Sequence, residues 1–148
     1  MVRQAASAKA SRSGAGLRTF LCEDGFKNTA YEGKRGFQLK VRLPDYRSLP
    51  LSCIAGIELR MDGEAINSKD IVFRLNGYSH KLEELPGLHQ VWWFILDPAE
   101  LFVARERDLT AGEHEVEGTV ALVTPYATVG VHTRHVTAKK RLLLESTL

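Results

Sequence analysis

Alternation of apolar and polar residues runs through most of the chain and predicts β-strands. In Phe37–Leu43 the four apolar residues point to one side, and Gln38, Lys40 and Arg42 point to the other. A side-chain period of two is typical of a strand with one face in a core and one in water. The same period recurs in three further segments, Ile57–Asp62, Ile71–Leu75 and Glu115–Val123, and a last strand is expected over Val136–Leu144.

One apolar run, Val91–Leu96, lacks this alternation and predicts a strand that is covered on both faces. It stops at Asp97-Pro98. Trp92 and Trp93 would point to opposite sides of such a strand, so one ring belongs to the core and the other can line a partner surface or a ligand cleft. Burial of both rings under sheet and loop is nevertheless the preferred interpretation, since large aromatic residues are mostly buried.

Turn residues separate these segments. Asp62-Gly63 and Asn76-Gly77 are dipeptides suited to tight β-hairpins, whereas the leucines of Leu82–Leu88 predict one turn of helix that Pro86 and Gly87 end. About seven or eight short strands at such spacing predict an all-β fold, a single-domain antiparallel immunoglobulin-like β-sandwich over residues 17–148. Closure into a barrel is the alternative.

The composition is consistent with a globular domain and limits the kinds of partner that can be expected. The chain has 148 residues, of which 44% are hydrophobic and 26% charged, values typical of one soluble domain. The net charge is only +2, and basic residues are interleaved with acidic ones along most of the chain, so nucleic acid is not expected as a partner. No run approaches the roughly 18 apolar residues that a membrane span requires, so a membrane is not expected either. Residues 1–16 predict a disordered leader. Cys22 and Cys53, which lack metal-ligand spacing, are expected to be free thiols in a cytoplasmic protein.

Catalytic and metal-binding patterns are weak in this sequence. It contains no nucleophile-elbow context and no glycine-rich phosphate loop. His132 and His135 are the closest histidine pair, and they could chelate a metal, as in a metal hydrolase, only if the backbone turns between them. His114, at the start of a strand, is expected to be a partly buried histidine that closes one end of the sandwich.

The loop Leu43–Leu51 is the strongest candidate for function. Pro44 and Pro50 stiffen it, so Tyr46 and Arg47 can be presented to a partner at small entropic cost. Tyrosine and arginine are enriched where interfaces concentrate binding energy, although packing of Tyr46 across its own loop is an alternative. A second stiff segment after the Glu115–Val123 strand carries another tyrosine. The candidate substrate- or partner-facing residues are therefore Tyr46, Arg47, Tyr126, Trp92 and Trp93.

The segment Gly36–Ser52, GFQLKVRLPDYRSLPLS, resembles the signature of the small β subunit of bacterial C-glycoside deglycosidases. The resemblance extends from about Asp24 to the C-terminus. Four other segments fit the same family: Ile57–Glu64 (IELRMDGE), Ile71–Gly77 (IVFRLNG), Trp92–Ala99 and Leu109–Glu117 (LTAGEHEVE).

This resemblance implies a function that the residues alone do not. The family pairs a β-sandwich subunit with a TIM-barrel α subunit that carries a divalent metal, Mn or Mg, and the acid/base histidine. The substrate is a C-glycoside whose sugar has been oxidised at C3, and the reaction is carbon–carbon cleavage by a lyase. The present chain would hold no cofactor of its own, support the α subunit and help to close the substrate site. A stand-alone carbohydrate-binding or structural sandwich is the alternative.

Overall fold

The chain folds into two antiparallel β-sheets that lie face to face, as the alternating pattern predicts. The structure, a computed structural model, describes residues 19–45, 47–124 and 132–146. The predicted leader, residues 1–16, therefore lies outside the described residues. The strands are β1 (Lys27–Tyr31), β2 (Lys34–Val41), β3 (Leu49–Pro50), β4 (Ile54–Met61), β5 (Glu64–Ala65), β6 (Ile71–Leu75), β7 (Tyr78–Lys81), β8 (Trp92–Trp93), β9 (Ala99–Ala104), β10 (Glu113–Thr124) and β11 (His132–Leu143).

The order of the strands is that of an immunoglobulin-like sandwich. One sheet has the order β1-β2-β9-β6-β7, the other β11-β10-β4-β5, and β3 pairs with β8 in a two-stranded ribbon. The arrangement β1-β2-β9-β6 opposite β11-β10-β4 corresponds to the ABED and GFC sheets of immunoglobulin constant-type domains. In the described residues the two sheets are separate ladders apart from an isolated bridge between Lys27 and Glu145. The fold is thus the predicted sandwich, and barrel closure is wrong.

The core lies between the sheets and is built from the inward-facing residues of each strand. The four apolar residues of Phe37–Leu43 are each at most 1% exposed, as predicted, although the strand itself ends at Val41. Across the ladder they meet Ala99, Leu101 and Val103 of β9. The predicted inward orientation therefore also holds for Leu43, which lies two residues beyond the end of the strand.

A segment that precedes β1 also enters the core. Phe20 and Leu21 are fully buried, and Cys22 donates a backbone hydrogen bond to the Lys40 carbonyl at 3.0 Å. Gly118 on β10 makes room for them, because a Cβ there would lie 3.1 Å from the Phe20 ring. Cys22 and Cys53 are both buried and unpaired to each other, which confirms the prediction of free thiols.

Three tight turns have the positive backbone angles that type I′ hairpins require. Asp62-Gly63 and Asn76-Gly77 have φ values of 51°, 86°, 52° and 86°, which confirms both predicted hairpins. A third turn, Glu32-Gly33, with φ values of 49° and 78°, joins β1 to β2 and was not predicted. The predicted helical turn is a 3-10 turn over Leu82–Gly87, and its Leu85 is fully buried.

The prediction of a doubly covered strand over Val91–Leu96 is wrong. Only Trp92–Trp93 form a strand, because their partner β3 is itself two residues long. The chain then turns, with the Asp97 amide donating to the Phe94 carbonyl at 2.9 Å. Phe94 is 55% exposed and Leu96 is 71% exposed.

The sandwich has two ends of different character. The described part of the loop end consists of residues 42–45, 47–53, 75–78 and 88–98 together with the strand ends Thr124 and His132. The hairpin end consists of the turns Glu32-Gly33 and Asp62-Gly63 and the loop 105–112. Among the described residues, no helix is both long and apolar enough to cross a membrane.

Candidate functional site

Two segments that the sequence suggested separately, the proline-bracketed loop and the tryptophan pair, form one unit at the loop end. Leu49 pairs with Trp93 and Pro50 with Trp92, and the Leu51 amide donates to the Val91 carbonyl at 2.7 Å. The pairing follows from the sheet register, since Val41 at the end of β2 lies opposite Ala99 at the start of β9. The proline-bracketed loop therefore begins beside the point where the tryptophan segment ends.

The proline-bracketed loop is anchored by an ion pair with a residue of the opposite sheet. Asp45 is 8% exposed, and its carboxylate lies 3.6 Å from the guanidinium of Arg134 on β11. This contact ties the loop to the opposite sheet. The next described residue, Arg47, is exposed, whereas Tyr46 lies outside the described residues. Sequence reasoning missed the Asp45–Arg134 pair, because the two residues are distant along the chain and only the fold brings them together.

A network of hydrogen bonds fixes the turn that follows β8. The Trp93 indole N–H donates to the Asp97 carbonyl at 2.7 Å, and the Ile95 amide donates to the Ser48 hydroxyl at 2.8 Å. The Asn76 side-chain amide donates to the Asp97 carboxylate at 3.3 Å. The turn is thereby joined both to the proline-bracketed loop and to the β6–β7 hairpin.

The two tryptophans occupy opposite environments. Trp93 is fully buried, with its ring 5.3 Å from that of Phe73 in an edge-to-face arrangement. Trp92 is 42% exposed at the surface of the loop end. The preferred interpretation, that both rings are covered, is therefore wrong, and the other interpretation, with one core ring and one exposed ring, is confirmed. Of the two, Trp92 stays a candidate for contact with a partner or substrate, while Tyr126 lies outside the described residues.

Cys53 is a buried residue that follows the proline-bracketed loop in the chain. Burial raises the pKa of its thiol, and the nearby Asp45 carboxylate raises it further. A thiol with a raised pKa is protonated at neutral pH and is a poor nucleophile. Cys53 therefore has a structural role at the loop end.

The histidine pair lies on an uninterrupted strand. From His132 to Leu143 each residue of β11 keeps its register with β10, so the backbone turn that chelation by His132 and His135 requires is not present. Within the described ranges, no group of three or more His, Cys, Asp and Glu side chains is placed to hold a metal ion.

The loop end also presents residues that sequence reasoning missed. Tyr78 is 73% exposed in the β6–β7 hairpin, and Phe94 and Leu96 project from the adjoining turn. Phe94 and Leu96 were missed because an apolar run predicts a buried strand when its neighbours in space are unknown. The one available signal was Asp97-Pro98, which marks a turn directly after the run.

The fold and the site define a class: an immunoglobulin-like sandwich whose loop end presents aromatic, apolar and cationic side chains on a fixed framework. Comparison with known families gives the particular one. A family model described as C-glycoside deglycosidase beta subunit matches residues 17–126. The chain belongs to this family.

Individual relatives agree with the family assignment. The chain is similar to the C-glycoside deglycosidase beta subunit of Microbacterium trichothecenolyticum, with 38% identity over 103 residues, covering 68% of this chain and 77% of the relative. It is 39% identical over 92 residues to a protein of the same name from Arthrobacter globiformis, covering 60% and 67%. It is 34% identical over 94 residues to the 3'-dehydrocarminate deglycosidase beta subunit of a Microbacterium species, covering 64% and 70%.

Proposed function

We propose that this chain is the β subunit of a hetero-oligomeric C-glycoside deglycosidase, a lyase that cleaves the bond between a 3-oxo-glucosyl group and an aromatic aglycone. The observation that carries the proposal is the family membership of residues 17–126. The name of the Microbacterium relative, which refers to a 3'-dehydro compound, supports a substrate oxidised at the 3-position. The partner would be a TIM-barrel α subunit.

The proposed reaction is a proton-coupled elimination. A 3-oxo group acidifies the C2 proton, which a general base removes to give an enediolate-type intermediate. The C1–aryl bond then breaks, its electron pair goes to the aryl carbon, and that carbon takes up a proton from a general acid. The products are the free aglycone and an unsaturated keto-sugar. A divalent metal held by the α subunit, Mn or Mg, would supply Lewis-acid stabilisation of the developing oxyanion.

The contribution of this chain would be structural and positional. Its loop end would support the α subunit and close one wall of the substrate site at the aglycone end. Arg47 is exposed on a loop that Asp45 and β3 anchor, so its guanidinium is presented with little further loss of conformational entropy. An arginine and aromatic rings suit an aromatic aglycone, because guanidinium groups stack on π-faces and donate hydrogen bonds to phenolic oxygens. Tyr46 would share this role, with Trp92 and Tyr126 as further contacts.

Substitution of the loop residues in the reconstituted complex tests the assignment. Arg47→Ala and Tyr46→Ala should each lower kcat/KM about tenfold or more, which corresponds to roughly 1.4 kcal/mol of lost stabilisation. Arg107→Ala, which removes an exposed cation at the hairpin end, should leave turnover within twofold of wild type. Unchanged assembly together with unchanged turnover for both loop variants would reject the role of this loop.

A stand-alone carbohydrate-binding sandwich is the second candidate, and the exposure of Trp92 favours it, because aromatic rings stack on sugar faces. This alternative requires a stable monomer that binds sugar without any partner. Gel filtration and titration calorimetry of the isolated chain with glucosides separate the two. Sugar binding that Trp92→Ala abolishes, with no affinity for an α subunit, would favour the binding module.

A further inference from the structure

Exposed large apolar side chains are concentrated at the loop end. Among the described residues five such side chains are exposed, and one of them, Leu143 at 63%, lies at the far end of β11. Single exposed apolar residues are ordinary on protein surfaces. The other four lie on two adjoining segments and define what we call the apolar patch: Tyr78 (73% exposed), Trp92 (42%), Phe94 (55%) and Leu96 (71%).

The apolar patch is held in place by polar contacts beneath it. The Asn76–Asp97 hydrogen bond joins the hairpin of Tyr78 to the turn of Phe94 and Leu96, and the Trp93 indole bonds the backbone of the same turn. A turn fixed in this way keeps Phe94 and Leu96 in water when nothing covers them, at a hydrophobic cost. The same rigidity lowers the entropic cost of binding a partner, since little needs to be ordered.

The size of the apolar patch suits a protein subunit as its occupant. Side chains of this kind have about 150–250 Å² each, so the exposed parts together amount to on the order of 500 Å². That is more than half of the roughly 800 Å² that each partner contributes to a standard protein–protein interface. The Ile95–Ser48 hydrogen bond makes the patch continuous with the loop of Arg47, which the proposed function already places against the α subunit.

We propose that the apolar patch is the anchor through which this chain docks on the α subunit, with Phe94 and Leu96 inserted into an apolar depression of that subunit. This inference rests on the proposed function and deepens it. Arg47 and the proline-bracketed loop would lie beside the anchor and reach the substrate site. Polar groups such as Asp97 and Asn76 would form part of the rim, as is usual around the dry centre of an interface.

Binding measurements with matched variants test the anchor. The probe is the purified α subunit of the C-glycoside deglycosidase from the same organism, and the dissociation constant is measured for the full chain and its variants. The double variant Phe94→Ser/Leu96→Ser should bind at least 100-fold more weakly than wild type. Leu143→Ser is the matched control, because it removes a similarly exposed leucine at the other end of the sandwich, where β11 ends, and it should bind within twofold of wild type.

A second measurement uses the wild-type chain, so its result does not depend on whether the double variant folds. Hydrogen exchange of wild type should show at least fivefold slower exchange of the amides of residues 92–97 when the α subunit is added. Binding of the double variant within twofold of wild type, or exchange in this segment that the α subunit leaves unchanged, would overturn the anchor. Self-association of the chain that the double variant abolishes would assign the patch to a second copy. Failure of wild type to bind the α subunit would instead overturn the proposed function.

Discussion

At the scale of single residues, His114 shows how one buried side chain closes the hairpin end. Its Nδ1 lies 2.7 Å from the Asp62 carboxylate, and its Nε2 lies 2.7 Å from the Thr110 carbonyl. Both partners can only accept hydrogen bonds, so the ring satisfies both only as the protonated imidazolium. Asp62 also accepts from the Glu115 amide at 2.9 Å. The predicted position of His114 at one end of the sandwich is confirmed, and at 7% exposure the side chain is buried rather than partly buried.

These contacts shift both pKa values. Burial by itself would lower the pKa of His114, but the hydrogen bonds to Asp62 and to the Thr110 carbonyl outweigh it and raise the pKa above its usual value near 6.5. The hydrogen bond from His114, followed by that from the Glu115 amide, lowers the pKa of Asp62 below 3.8. The contribution of His114 to stability is therefore full below about pH 6.5 and is lost as pH rises through its folded pKa. The contribution of Asp62 is lost as pH falls through its own lowered pKa.

A pH series of unfolding free energies tests this pair. For wild type, the stability due to His114 should decrease between about pH 6.5 and the folded pKa, by about 1.4 kcal/mol for each unit of pKa shift. His114→Gln should cost about 1–3 kcal/mol at pH 6, because the charged hydrogen bonds are lost, and should lack this decrease. His135→Gln, which replaces an exposed histidine on β11, should follow the wild-type profile. A His114→Gln profile parallel to that of wild type would contradict the imidazolium assignment.

At the scale of elements, the pairing of β2 with β9 depends on Gly36. A Cβ at this position would lie 2.0 Å from the Val103 carbonyl oxygen and 2.9 Å from the ring of Phe102. That ring covers the outer face of the sheet and is itself covered by Tyr31, at a centroid distance of 5.5 Å. Gly36 is thus needed for the close approach of one strand to another, independently of any turn.

Two glycine substitutions, one in each sheet, test this explanation. Gly36→Ala should lower the free energy of unfolding by about 3 kcal/mol or more, at the upper end for an overpacked site, because the backbone of β9 cannot give way easily. Gly56→Ala in β4 has nothing within 4 Å of its added Cβ and should be neutral or stabilising by up to about 1 kcal/mol. Denaturant titrations give both values. Equal effects of the two substitutions would contradict the steric account.

The elements that could be predicted from sequence are those with local signals. β6, β10 and the Ile57–Met61 part of β4 alternate between inward and outward residues. Asp-Gly and Asn-Gly are the dipeptides most typical of tight hairpins. β1 was missed because KNTAY has little alternation and Glu32-Gly33 is a less typical hairpin dipeptide. The Val91–Leu96 segment was misread because its structure depends on Ser48 and on a two-residue partner strand. Contacts between residues that are distant in sequence produce no periodic pattern along the chain, so they could not be predicted from it.

At the scale of the whole molecule, the immunoglobulin-like topology places the candidate residues at the same end of the sandwich. It brings the proline-bracketed loop, the Trp92 segment and the β6–β7 turn to one end, although they are separated along the chain. Sequence reasoning selected Arg47 and Trp92 individually but had no means of placing them together, and it missed Phe94, Leu96 and Tyr78 altogether. Strand order is a property of the whole chain, so this convergence could be seen only in the fold.

The dependence of α-subunit turnover on this chain tests the central claim most directly. Purified α subunit is titrated with the full chain, and release of aglycone from a 3-oxo-C-glucoside is followed. The account predicts that activity rises with added chain and reaches a plateau at an equimolar ratio of the two subunits. Activity of the α subunit that stays the same at every ratio would contradict the assignment of this chain as the β subunit of the enzyme.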